Sequence, residues 1–332
     1  MKILVTGGMG YIGSNTVVEL LKNNYEVVII DNLVNSNIEV LEKIRNITKK
    51  EVKFYEEDLR NKEKLTEIFQ REKIDSVIHF AGLKAVGESV AKPLLYYDNN
   101  LISTLVLLEV MKEENVKNIV FSSSATVYGD PKYLPIDEKH PLSTTNPYGT
   151  TKLFIEQILE DVYKADNDMN IVILRYFNPV GSDKMHLLGE NPNGIPNNLV
   201  PYIVKVATKK LESLNVFGND YDTVDGSGVR DYIHVIDLAI GHVKAIEYMK
   251  NNKGILKVNL GTGKGNSVLE LIEKFEKVNK VKIPYKIVER RKGDIATCYA
   301  DTKKAKELLD FTTTYNIEDM LQDAYLAELN NK

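Results

Sequence analysis

The stretch Lys2-Ile3-Leu4-Val5-Thr6-Gly7-Gly8-Met9-Gly10-Tyr11-Ile12-Gly13 decides the fold. A short, continuous apolar run enters a glycine-rich turn and leaves it as a helical pattern, so Gly7, Gly10 and Gly13 stand on a strand-to-helix junction. Glycine there allows a tight turn and close backbone approach. The amides at the start of the helix then present the positive end of its dipole to a pyrophosphate. A glycine triplet alone is weak, because any turn packed closely on a helix wants the same residues. Context strengthens it: this is the first strand-to-helix junction, and the next apolar run ends eighteen residues after Gly13 in Asp31. A carboxylate at that place accepts both hydroxyls of an adenosine ribose and repels a 2′-phosphate, so the expected cofactor is NAD rather than NADP.

Outward from this junction, apolar runs at 2–6, 26–30, 52–55, 76–80, 118–124 and 171–175 alternate with helical patterns near 11–23, 36–47, 61–71, 94–115 and 148–165. The runs are continuous rather than alternating, as strands covered on both faces require. The fold class is therefore α/β, a doubly wound parallel sheet. Beyond about residue 176 the rhythm breaks into loop-rich stretches, such as 179–198 and 219–228. This predicts a dinucleotide-binding domain over 1–175 and a smaller mixed α/β substrate-binding domain over 176–332, with some segments returning to the first.

The 332 residues are 43% hydrophobic and 27% charged, with a net charge of −4, an ordinary globular balance with no basic footprint for nucleic acid. No apolar stretch approaches the roughly 20 residues of a membrane helix. Met1 and Lys2 lead straight into the first strand without a signal-peptide pattern, so a cytoplasmic protein is expected. A single cysteine, Cys298, excludes an internal disulfide, and the five histidines lack metal-ligand spacing, so no metal is expected.

The spacing Tyr-x-x-x-Lys occurs at Tyr128/Lys132, Tyr148/Lys152 and Tyr299/Lys303 among eighteen tyrosines, so the spacing decides nothing alone. Pro131 breaks a helix inside the first pair, and Asp301 reads as an N-cap that leaves Tyr299 outside its helix. Asn146-Pro147, by contrast, starts a helix that carries Tyr148 and Lys152 on one face. A phenol is a poor base at neutral pH, but a neighbouring ammonium and a cationic nicotinamide both favour its phenolate. Upstream, Ile119-Val120-Phe121 emerges as Ser122-Ser123-Ser124 at the carboxyl end of a strand, where ligands collect in this architecture. A second glycine cluster, 261–267, lacks phosphate-loop spacing. Ser267 and Glu270 make it a turn into a capped helix.

At this point the chain resembles the extended short-chain dehydrogenase/reductases, and within them the UDP-glucose 4-epimerases. The resemblance runs through Thr6–Gly13, Asp31–Leu33, His79–Ser89, Ser122–Gly129, Tyr148–Lys152, Arg175–Gly181 and Gly226–His234. It implies a Rossmann domain with Tyr148 as base, Lys152 as its electrostatic partner and nicotinamide-ribose ligand, and Ser124 as hydrogen-bond partner of the reacting hydroxyl. It further implies NAD contacts from Gly7, Gly10, Tyr11, Ile12, Gly13, Asp31, Asn32, Leu33, Asn35, Ser36, Asp58, Leu59, Phe80, Ala81, Gly82, Lys84, Asn99, Ser122, Tyr148, Lys152 and Phe177. UDP-sugar contacts are implied for Lys84, Ser124, Tyr148, Asn178, Asn198, Leu199, Phe217, Arg230, Tyr232, Arg291, Asp294 and Cys298. Arginine forks suit a diphosphate, although for Arg230 alone a surface ion pair with Asp231 serves as well.

What the resemblance implies is C4 epimerisation of UDP-galactose and UDP-glucose through a 4-keto sugar, in a homodimer. Two positions depart from it. Thr150-Thr151 stands where relatives often carry Lys-Ser, and Cys298 where some carry a tyrosine that walls the sugar pocket. The smaller cysteine predicts room for an N-acetyl group, and so for UDP-GlcNAc and UDP-GalNAc. A nucleotide-sugar 4,6-dehydratase is the nearest competitor, but dehydratases carry an Asp-Glu pair at the place of Ala125-Thr126. A reductase using the same pair and a non-catalytic NAD sensor are the remaining alternatives; tight cofactor retention separates the first and the intact Tyr148, Lys152 and Ser124 speak against the second.

Overall fold

The apolar runs assemble into one sheet because each strand sends neighbouring side chains to opposite faces. Ile3 and Val5 of β1 (Lys2–Thr6) join one apolar cluster, while Leu4 between them joins another. The same split recurs in β2 (Glu26–Asp31), where Ile29 faces the first cluster and Val28 and Ile30 the second. With β3 (Lys53–Glu56), β4 (Ser76–His79), β5 (Asn118–Ser124), β6 (Asn170–Tyr176) and the strand Gly254–Leu260 they form a seven-stranded sheet. Its order is Gly254–Leu260, β6, β5, β4, β1, β2, β3, and every pairing is parallel. The computed structural model describes residues 1–331 apart from 193, 195 and 292.

Helices Tyr11–Lys22 and Val235–Asn251 cover one face of the sheet. Lys62–Glu72, Ser103–Glu113 and Pro147–Ala165 cover the other. The strand order reverses between β1 and β4, and a doubly wound sheet opens a ligand crevice at such a point. All six strand runs expected from sequence overlap observed strands, with Val52 and Phe80 one residue outside them. The pattern at 94–115 forms a continuous helical run, Pro93–Tyr97 and Ser103–Glu113, interrupted by a wide π-turn at Asp98–Ile102. The interruption has a cause. Asn100 turns inward there, accepts from the Leu83 amide at 2.7 Å, and donates to the Leu83 carbonyl and Thr151 hydroxyl, each at 3.0 Å.

Past β6 the chain builds a second, four-stranded sheet. Val229–His234 is central to it, pairing with Gly265–Ser267, Thr297–Cys298 and Asn178–Val180. Leu214–Phe217 pairs with Tyr285–Val288 in a small two-stranded ribbon. A third apolar core, including Ile203, Phe275 and Met320, joins helices Leu199–Ala207, Val268–Asn279 and Ile317–Asn330. Capping boxes start the last two, Ser267 with Glu270 as the sequence predicts and Asn316 with Asp319. Among the described residues no helix is long and apolar enough to cross a membrane.

Candidate active site

The glycine turn is closed by its neighbours to within backbone contact. Gly7 has φ of +69°, and a Cβ there would stand 2.8 Å from the Ala81 nitrogen, just beyond β4. A Cβ on Gly13 would run into the Gly7 carbonyl oxygen. The ends of β1 and β4 are laced together by Phe80 N donating to the Thr6 carbonyl at 3.1 Å and Ala81 N donating to the Thr6 hydroxyl at 3.3 Å. Asp31 closes the other side. Its carboxylate accepts from the Met9 amide at 3.0 Å, the Leu33 amide at 2.9 Å and the Ser36 hydroxyl at 2.8 Å. It thus pins the glycine loop to its own turn, and Oδ2, which accepts only from Met9, keeps lone-pair capacity for a ribose.

Asn32 donates to Asp58 at 3.2 Å, and the hydrogen bonds from Arg60 hold that carboxyl down to about 2. Gly10, Tyr11 and Ile12 continue into the helix, with the Tyr11 hydroxyl donating to the Gly181 carbonyl at 2.8 Å. Gly82 follows Ala81, and Asn99 lies in the π-turn beside Asn100. Two expected contacts sit less directly. The Leu59 side chain is buried in the core, so only its backbone is left to face a ligand, and Asn35 is exposed. A backbone cradle that a methyl group would fill, with an acid at its rim, fits a dinucleotide.

The sequence-selected helix start is in place: Asn146 caps the Gly149 amide at 2.8 Å and Pro147 occupies the first turn. Tyr148 and Lys152 then lie one turn apart, both buried, on the face turned to β5. Lys152 Nζ donates to the Ser122 carbonyl at 2.7 Å, and lies 6.0 Å from the Tyr148 ring and 4.9 Å from that of Phe121. Burial lowers the Lys152 ammonium to about 8, with Glu156 opposing the shift. In the protein alone Lys152 does not by itself acidify Tyr148. Burial pushes the phenol well above its ordinary value; Tyr176 adds to this and the hydrogen bond with Ser124 works against it. A cationic nicotinamide beside the phenol would supply the further positive charge that favours its phenolate.

The two rejected pairs are structural. Tyr128 donates to Asn259 at 2.6 Å and accepts from Arg175 at 3.0 Å in the core. Tyr299 precedes the helix Lys303–Leu309, which starts one residue later than expected. Thr302 is its cap residue, and Asp301 accepts from the Lys303 amide at 2.9 Å.

The second sheet gathers residues far apart in sequence. Asn178 registers against Tyr232, and Cys298 against Arg230. An Arg230–Asp231 ion pair is not what forms: the Arg230 guanidinium donates to the Val229 carbonyl at 2.8 Å, while Asp231 is buried under Thr262, Gly263 and Ala300 donors. Arg291 pairs with Asp294 at 3.0 Å and lies over the Phe217 ring at 4.6 Å. Lys84 and Asn198 meet through a residue that sequence reasoning missed, since Glu190 accepts from them at 2.9 and 3.0 Å. Leu199 follows Asn198 as the first residue of its helix. Cys298 packs with Val127, Tyr128, Ile136, Phe177 and Ala300, and burial pushes its thiol up to about 11.

Comparison with known proteins places the arrangement. A family model described as GDP-mannose 4,6 dehydratase matches residues 4–324. The UDP-glucose 4-epimerase of Bacillus subtilis is 56% identical over 331 residues, covering 100% of this chain and 98% of the relative. The crystal structure of the Bifidobacterium longum UDP-glucose 4-epimerase in complex with NAD+ and UDP superposes with a TM-score of 0.97 at 55% identity, covering 100% of this chain and 99% of that one. The chain belongs to the UDP-glucose 4-epimerase family. A more distant member, the UDP-Glc/GlcNAc 4-epimerase of Campylobacter jejuni, is 36% identical with a TM-score of 0.87 and covers 99% of both chains. The family model carries a dehydratase description, yet Ala125 and Thr126 begin the short turn after β5, where an acid/base pair would be needed for elimination. For an epimerase no such pair is required.

Proposed function

We propose that the protein interconverts UDP-galactose and UDP-glucose by inverting C4, with NAD held in the cradle of Gly7, Gly10, Gly13 and Asp31. The observation that carries this reading is the meeting of Tyr148, Lys152 and Ser124 at the carboxyl end of β5, two strands from the glycine turn. NAD, when bound, supplies the acceptor and donor of a hydride at C4. Tyr148 takes the proton of the 4-hydroxyl as that carbon is oxidised, and returns it when the 4-keto sugar is reduced on its other face. Lys152, anchored on the Ser122 carbonyl, supplies positive charge beside the phenol, and Ser124 orients the reacting hydroxyl. Arg230 and Arg291 have free guanidinium donors suited to the diphosphate, with Asn178, Asn198, Leu199, Phe217 and Tyr232 around it.

The proposal extends to N-acetylated UDP-sugars, supported by the small side chain of Cys298, and to a cytoplasmic location. It also includes a homodimer, supported by exposed apolar side chains on the helices beside the active site: Val90, Leu94, Leu95, Ile102, Leu105 and Phe154. The boundary at 175 is kept as a working division, with 235–260 assigned to the first unit. Purified protein given UDP-galactose without added cofactor tests the function. UDP-glucose should form while total NAD stays constant; net consumption of cofactor would indicate a reductase instead.

A further inference from the structure

Behind the catalytic helix lies a buried charge pair that the reaction as drawn does not use. Glu156 stands four residues after Lys152 on the same helix, and Arg175 lies in β6 directly opposite Ser123 of β5. Both side chains are almost wholly buried, with solvent exposures of 2% and 1%. The guanidinium donates to Glu156 through Nε at 3.0 Å and through a terminal nitrogen at 2.5 Å, and its other arm reaches the Tyr128 hydroxyl at 3.0 Å. The Ser123 hydroxyl donates to the same carboxylate at 2.6 Å.

Ser123 is the middle residue of the triplet on which the site is built. On one side, the Ser122 carbonyl takes the Lys152 ammonium; on the other, Ser124 meets Tyr148. We infer that Glu156 is a positioning residue: gripping Ser123 and Arg175 from one turn behind Lys152, it fixes the catalytic helix against the end of β5. A buried ion pair of this kind contributes little to stability relative to apolar packing, which makes a role in geometry and charge the better account of it.

The electrostatic consequence follows from what surrounds Lys152. Tyr148 and Glu156 face it from its own helix, the Ser122 carbonyl and the Phe121 ring from β5, and His79 from β4, while from β6 Arg175 acts on Glu156 and Tyr176 on Tyr148. Burial first, then Lys152, lowers His79 to about 3, so that ring is neutral. Glu156 is the anion that opposes the desolvation of Lys152. Without it the lysine loses its proton at lower pH, and the support of the phenolate goes with it.

This inference rests on the proposed roles of Tyr148 and Lys152, and the test separates the two. In Glu156→Gln, which keeps the shape and one accepting oxygen but removes the charge, the alkaline limb of the kcat profile should move down by about one pH unit, with KM nearly unchanged. Ultraviolet titration of the Tyr148 phenolate, read as the difference from Tyr148→Phe, should show ionisation at higher pH in the variant. Ser123→Ala removes the mechanical link but no charge; it should lower kcat several-fold and leave the alkaline limb in place. If Glu156→Gln fails to fold because Arg175 is left unpaired, Glu156→Met/Arg175→Met removes both charges and should still show a smaller downward shift. An unchanged alkaline limb and phenolate titration, with only the melting temperature lowered, overturns the positioning role while leaving the epimerase reading intact. Wild type that fails on UDP-galactose overturns the latter instead.

Discussion

The glycine cradle and the second sheet are built by opposite means. In the cradle, strand, turn, helix and ribose acid come from thirty consecutive residues, and the close contacts that shape it are backbone against backbone. In the second sheet, Asn178, Arg230, Tyr232 and Cys298 come together only because strands distant in sequence pair, Asn178 with Tyr232 and Cys298 with Arg230. A backbone cradle recognises what every dinucleotide shares. Side chains on irregular elements recognise one sugar, and they can change without disturbing the cofactor. Substitutions should therefore separate chemistry, cofactor choice and sugar choice.

The largest expected effect lies where the two regions meet. Tyr148→Phe should retain the fold and NAD content but lose roughly 10²- to 10⁴-fold in kcat, because the proton acceptor is gone. Near-normal turnover would break the assignment, and loss of NAD would mean the ring helps build the cradle. Lys152→Ala should also lose most activity, and what remains should show a raised apparent pKa for the tyrosine. In wild type, the ammonium is lost as pH rises through about 8, so turnover should fall on that side. A kcat flat to well above that pH would contradict the electrostatic role of Lys152.

The contrast also explains what was legible in the sequence. Strand runs, glycine spacing, Asp31 and the Asn146-Pro147 helix start are local signals, each set within a few residues, and they located the sheet and the Tyr148/Lys152 face. The π-turn was hidden because its cause is Asn100 reaching across to Leu83 and Thr151, a tertiary contact with no periodicity. Glu190 was equally silent, since nothing near it in sequence marks the approach of Lys84 and Asn198. Glu156 could have been found by continuing one turn past Lys152. Its meaning, however, depends on Arg175 arriving from β6. The raised phenol of Tyr148 is a matter of burial, which a motif does not report.

Cofactor choice sharpens the comparison from the cradle side. Asp31→Ala should narrow the preference for NAD over NADP by about a hundredfold, the worth of a few charged hydrogen bonds and a removed repulsion. It should also weaken NAD binding itself, because the Met9 and Leu33 amides and the Ser36 hydroxyl lose their acceptor. The ratio of sugar substrates should not move. Competitive binding of NAD and NADP to apo-protein measures the first effect, and unchanged selectivity would shift the discriminating role to another residue.

The smallest effect, confined to one pair of substrates, is expected at Cys298. The thiol is no nucleophile at neutral pH, since burial pushes it up to about 11, so its message is its size. It packs with Phe177, which follows β6, and with Val127, which follows β5, and therefore lies near the mouth of the catalytic strand ends. A tyrosine at this place would have to project out of that filled cluster, and on the proposed site that is where the sugar binds. Extra atoms in a packed pocket cost about 1–3 kcal/mol, roughly 5- to 150-fold in specificity. Cys298→Tyr should impose that penalty on the kcat/KM of UDP-GlcNAc and UDP-GalNAc while sparing UDP-galactose and UDP-glucose. A parallel loss on all four sugars would show that the ring merely disrupts the cluster around Phe177. Wild type inactive on both acetylated sugars would remove Cys298 as a determinant of sugar range.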